Sequence, residues 1–105
     1  TPSEAAVPDG VYVADIVLLD QDGAVYQGVL NQGSHPTVPQ GSAAVEIHLF
    51  DFSGQLYHQR VRIRYWHFLR PEVYYPTKAL LRGQMLKDIE DARRWFREHP
   101  DYSLQ

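Results

Sequence analysis

Glu46 is the residue on which chemistry can be built. It lies in Val45-Glu46-Ile47-His48-Leu49-Phe50-Asp51-Phe52, whose alternation puts Glu46, His48 and Phe50 on one strand face and Val45, Ile47 and Leu49 on the other. A carboxylate sharing a face with an aromatic ring is expected to be partly enclosed, and enclosure raises proton affinity and suits it to general-base work. The plainer reading is a solvent-facing carboxylate paired with an arginine of the neighbouring strand. Strand pattern alone favours the plainer one.

Other candidates are weaker. Arg60, Arg62 and Arg64 alternate along the next apolar-polar run, where they can gather phosphates but more simply form cross-strand ion pairs on a solvated face. Arg70 differs, because beside Pro71 at a strand end its fork of donors can reach over a ligand. The histidines, at 35, 48, 58, 67 and 99, show no His-x-x-x-His spacing, so no metal ligand is assigned. Gly33-Ser34-His35-Pro36-Thr37 is not a P-loop, since no Gly-Lys-Ser/Thr follows. No dinucleotide fingerprint or nucleophile triad is present. Tyrosines and tryptophans such as Tyr26, Tyr75 and Trp95 can stack on a planar ligand, though most are more simply core or strand-surface residues.

These residues need elements to position them. Gly10 opens Val11 to Leu19, a β-branched run; Asp20-Gln21-Asp22-Gly23 is a turn needing positive φ, and Ala24 to Leu30 is its hairpin partner. Asn31 to Ser42, with Gly33, Pro36, Pro39 and Gly41, reads as a loop long enough to be functional. The Glu46 run reaches a Ser53-Gly54 turn and resumes at Val61, which predicts a central hairpin walled in by the rest of the chain. Pro71 ends its second strand. Thr77 is a plausible N-cap for a helix over about 77–98, with Leu81, Met85, Ile89, Ala92 and Phe96 at helical spacing and His99-Pro100 as the stop. Residues 1–9 read as a tail or linker and 10–105 as one domain. Four or more antiparallel strands before one helix predict an all-β fold, a small barrel with a C-terminal α-helix packed on it.

Composition narrows the function classes. With 105 residues and a formal charge of −3, there is no basic footprint for nucleic acid. The lack of cysteine excludes disulfides, thiolate metal sites and cysteine nucleophiles, and suits a cytoplasmic setting. No apolar run approaches the ~20 residues of a membrane span.

Several stretches, in order and spacing, resemble the riboflavin kinase module. They are Gly10-Val11-Tyr12; Tyr26 through Gly28-Val29-Leu30-Asn31-Gln32-Gly33 to Pro36-Thr37; Val45 to Phe52; Leu56-Tyr57; Leu69-Arg70-Pro71-Glu72; and Asp88 with Ala92-Arg93. In bacteria this module is the C-terminal half of bifunctional riboflavin kinase/FAD synthetase. The resemblance implies a six-stranded antiparallel Greek-key barrel with a C-terminal helix. It implies transfer of the γ-phosphoryl of ATP to the ribityl 5′-hydroxyl of riboflavin with Mg²⁺, a chemistry resting mainly on positioning and charge stabilisation. Glu46 matches the family's general base. The segments holding Asn31, Pro36, Thr37 and Arg70 resemble the flaps over nucleotide and flavin, and Asp88 lies in the helix region near the flavin. No cofactor is expected to be needed for folding.

The sequence also departs from that pattern. Ahead of its Gly-Val-Tyr the family carries a Gly-rich segment ending in Pro-Thr-Ala-Asn, whose Thr and Asn hold magnesium and phosphates; nothing in Thr1 to Asp9 matches it. His58, Pro76 and Val38 replace the family's usual Gly, Asp and Phe. A chain opening on Thr1 is expected to be a piece of something longer, with a nucleotidyltransferase domain in the parent. The isolated chain is then expected to phosphorylate weakly or not at all. The alternative is a non-catalytic barrel that binds flavin, nucleotide or a protein partner. A barrel strand missing with that segment would bare an edge, expected to be covered by a second copy or by the tail.

Overall fold

The computed structural model describes residues 8–33, 44–54 and 59–104. Its organising strand is β1 (Gly10–Leu18), apolar on both faces save for Asp15, and a run of that kind belongs in the middle of a sheet. β2 (Ala24–Gly33) folds back on it across a turn in which Asp22 and Gly23 take φ of 55° and 71°, the positive values that the Asp-Gly pair accommodates. β4 (Val61–Arg70) takes the other edge of β1, and β3 (Ala44–Leu49) adds to β2, so the antiparallel order is β3-β2-β1-β4. Four strands form among the described residues, where the resemblance implied six.

This order corrects the predicted central hairpin. β3 and β4 do not pair with each other; they lie on opposite edges of the sheet. The reason lies in β1, which has two faces and two edges to satisfy and claims β4 as its second neighbour. β3 is left with the outer edge of β2. Gly28 allows that pairing to be close, because a Cβ there would strike the carbonyl oxygen of His48.

Both faces of the sheet are apolar. One carries Tyr12, Ala14 and Leu30 with half-buried Ile47 and Tyr65, the rings of Tyr12 and Tyr65 meeting edge to face at 5.1 Å. The other carries Val11, Val13 and Val29, and across it lies the helix α1 (Lys78–Glu98), which brings Ala92 and Phe96 onto them. Thr77 caps α1, its Oγ1 accepting the Leu80 amide at 3.1 Å. The C-terminal half of α1 buries its apolar stripe. Its N-terminal half does not: Leu81 and Met85 stay 41% and 49% exposed because they overhang a cleft rather than the core. All-β with one C-terminal helix is therefore the fold class.

Candidate active-site cleft

The overhang leaves a cleft of about 670 Å³ between sheet, helix and the segment that joins β4 to α1, within the roughly 300–1,000 Å³ usual for small-molecule sites. The sheet gives it a floor of Val11, Val29 and Asn31, with Glu46, Ile47 and His48 at the edge strand. Pro71 keeps the chain after β4 out of the ladder, so Glu72 to Tyr75 rise as one wall. The helix supplies Leu81, Met85, Asp88 and Ile89 as the other.

Four of the residues singled out from sequence meet here, one from each of four elements: Asn31 of β2, Glu46 of β3, Arg70 of β4 and Asp88 of α1. Asn31 and Glu46 are register partners on neighbouring strands, which puts their Cβ atoms about 4.5–5.5 Å apart. Pro36 and Thr37 lie outside the described residues. Glu46 is exposed, not enclosed as its neighbourhood in sequence implied. Its expected neighbour Phe50 sits past the end of β3 and turns in under the helix, 6.4 Å from the ring of Phe96 and 4.2 Å from the Arg93 guanidinium. The arginines of β4 are not cross-strand neighbours of Glu46, because β4 lies at the far edge of the sheet. Arg60 and Arg64 pair instead with Asp20 and Asp15.

The Arg70 fork closes on protein. Its Nε and Nη2 donate to the two carboxylate oxygens of Asp88 at 2.9 and 2.7 Å, and Gln84 donates to the same carboxylate at 2.9 Å. Asp88 is buried, and its hydrogen bonds hold the Arg70 guanidinium charged even more firmly than usual. The remaining Arg70 Nη1 donates to the Pro71 carbonyl at 3.2 Å, and the guanidinium lies over the Tyr75 ring. This one side chain thus braces the joining segment against the helix. Sequence reasoning missed His48, Glu72 and Gln84 as members of the site. His48 was findable, two residues beyond Glu46 on the same face; Gln84 was findable one helical turn before Asp88. Glu72 stood in the Leu69-Arg70-Pro71-Glu72 stretch without being singled out, and it enters by resting its carboxylate against Gly33.

Among the described residues the donors do not fit a protein-held magnesium ion. No three acidic, histidine or cysteine side chains gather among the described residues, and the cleft's Asp88 is taken up by Arg70 and Gln84.

Fold and cleft together define a small antiparallel β domain whose α-helix and edge strand flank a cleft of small-molecule size. A riboflavin kinase (flavokinase) family model matches residues 1–96. The chain is 37% identical over 87 residues to a bifunctional riboflavin kinase/FMN adenylyltransferase of Haemophilus influenzae, covering 83% of this chain and 28% of that protein. It is 33% identical over 90 residues to a riboflavin kinase of Kluyveromyces lactis, covering 82% of this chain and 49% of the relative. Among solved structures, one described as a macrolide-efflux protein from Streptococcus pneumoniae superposes with a TM-score of 0.70 at 28% identity, over 83% of this chain and 28% of that one. The chain belongs to the riboflavin kinase family. It spans less than half the length of either relative.

Proposed function

We propose that residues 10–105 form a riboflavin kinase module whose cleft binds riboflavin and phosphorylates it from ATP. The observation that carries this is the meeting of Asn31, Glu46, Arg70 and Asp88, drawn from four separate elements, in one cleft of small-molecule size. Glu46 takes the proton of the ribityl 5′-hydroxyl as its oxygen attacks the γ-phosphorus; the bond from that phosphorus to the ADP oxygen breaks, giving FMN and ADP. Asn31, Arg70 and Asp88 contact or frame the substrate, and Pro36 and Thr37 are assigned to substrate or nucleotide binding by resemblance alone. Magnesium accompanies ATP rather than residing on the described side chains.

The module works in the cytoplasm beside an adenylyltransferase domain of the kind its bacterial relatives are named for, and self-associates through a sheet edge. Because residues 1–9 offer no Pro-Thr-Ala-Asn segment, the 105-residue chain by itself turns over slowly. The test is FMN formation, followed by chromatography, from riboflavin, ATP and Mg²⁺ with this chain and with Glu46→Gln. A low wild-type rate that falls about 100-fold or more in the variant is expected. FMN formation indifferent to Glu46→Gln would remove the assignment. Riboflavin binding without any FMN would favour a non-catalytic flavin-binding barrel.

A further inference from the structure

Among buried side-chain polar atoms of the described residues, Asn31 Oδ1 and Trp66 Nε1 have no hydrogen-bond partner. Leaving such an atom unpaired is costly, so each calls for an explanation. Trp66 does not line the cleft and sits edge to face against the Tyr102 ring at 4.8 Å, inside an aromatic cluster. Asn31 is different. It lies on the floor of the cleft, in register with Glu46 across the β2–β3 ladder. An acceptor held there without a donor is matched to a ligand that brings one.

The proposal rests on the flavin-binding reading above and sharpens it. A polyol chain carries hydroxyls on successive carbons. Two acceptors on directly opposed residues of neighbouring strands stand about 4.5–5.5 Å apart at Cβ, a spacing that two hydroxyls of one polyol can meet together. We propose that Asn31 is the binding residue that reads the ribityl chain: its Oδ1 accepts a hydrogen bond from a ribityl hydroxyl other than the one that faces Glu46. The flavin ring is then held by the apolar walls, and the side chain is selected by Asn31. A site built to bond a hydroxyl discriminates strongly against an analogue that lacks it, because the buried acceptor is again left unpaired.

The experiment compares riboflavin with lumiflavin, which has the same ring system and no ribityl chain, by titrating the fluorescence of each with the 105-residue chain. Wild type is expected to bind riboflavin at least tenfold more tightly. Asn31→Leu, similar in size and unable to accept, is expected to lose that preference through weaker riboflavin binding alone, with lumiflavin affinity unchanged within about twofold. The melting temperature of the same variant is expected to hold or rise, since an unpaired buried acceptor has been replaced by carbon; a merely structural asparagine would give the opposite. Asn31→Ala serves as the second variant should leucine prove too bulky, with the same expected loss of preference. A variant that melts normally and keeps the tenfold preference overturns the role of Asn31 while leaving flavin binding intact. Wild type binding both flavins equally does the same. Failure of wild type to bind either flavin overturns the flavin-site reading itself, and this inference with it.

Discussion

Two arginine–aspartate pairs hold the helix side of the sheet, and they do different jobs. Arg70 and Asp88 meet beside the cleft, while Arg64 and Asp15 meet near the chain's C-terminal end. Their chemistry is nearly the same. Both are bidentate, with Nε and Nη2 on the two carboxylate oxygens at 2.7–2.9 Å, and both have a third donor on the carboxylate. The third donor marks the difference. For Asp15 it is the hydroxyl of Tyr102 at 2.8 Å, from the short 3₁₀ turn Tyr102–Leu104 beyond the helix; for Asp88 it is Gln84, within the helix itself. The first pair therefore fastens a terminal turn onto the centre of the sheet, and the second braces the wall of the cleft. Identical local chemistry takes its meaning from which elements it joins.

That contrast can be broken experimentally. Asp15→Ala should cost about 3 kcal/mol of stability, because it strands Arg64 without its carboxylate; Arg64 keeps 29% of its side chain in solvent, which places the loss at the lower end of what a buried pair shows. Denaturant titration measures it, and riboflavin affinity per folded molecule should be unchanged. Asp88→Asn should cost about 2 kcal/mol and, unlike the first, should weaken riboflavin binding several-fold, since Arg70 then swings free of the helix. Equal effects of the two on binding would erase the distinction. Tyr102→Phe, which removes one hydrogen bond to a charged group, should cost about 1.5 kcal/mol with no effect at the cleft.

The smallest effect is alkaline. Burial raises the phenol pKa of Tyr102, and likewise those of Tyr12 and Tyr65, above the ordinary 10.0. The folded state therefore holds these protons more tightly than the unfolded chain does. That contribution is fully present below pH 10 and is lost as pH climbs from there through the raised values. Melting temperature measured from pH 9 upward should fall beyond 10, and should fall less in Tyr102→Phe.

How much of this could be read from the sequence differs by element. The Asp22-Gly23 turn, the Thr77 cap and the strand end at Pro71 were legible because each depends on a few adjacent residues. Glu46, Asn31, Arg70 and Asp88 were legible as a set through resemblance, not through spacing. The pairing of β3 with β2 rather than with β4 was not legible, since it is decided by β1, far away in the chain, needing neighbours on both edges. For the same reason Asp15 passed as one polar residue in a strand run; its partners Arg64 and Tyr102 lie 49 and 87 residues further along the chain. Leu81 and Met85 fitted the helical stripe, but periodicity cannot tell a residue that faces a core from one that faces a cleft.

The position of β1 has a consequence for how the chain comes to be folded. Its pairing with β2 is local, closed by a five-residue turn from Leu19 to Gly23, whereas its other edge must wait for β4, from Val61 onward. Contacts that close a long loop slow folding, and the β1–β4 ladder is of that kind. During synthesis the first hairpin therefore emerges with one flank of its most apolar strand bare. It stays so until the ribosome has delivered β4, and the helix that covers Val11, Val13 and Val29 follows later still.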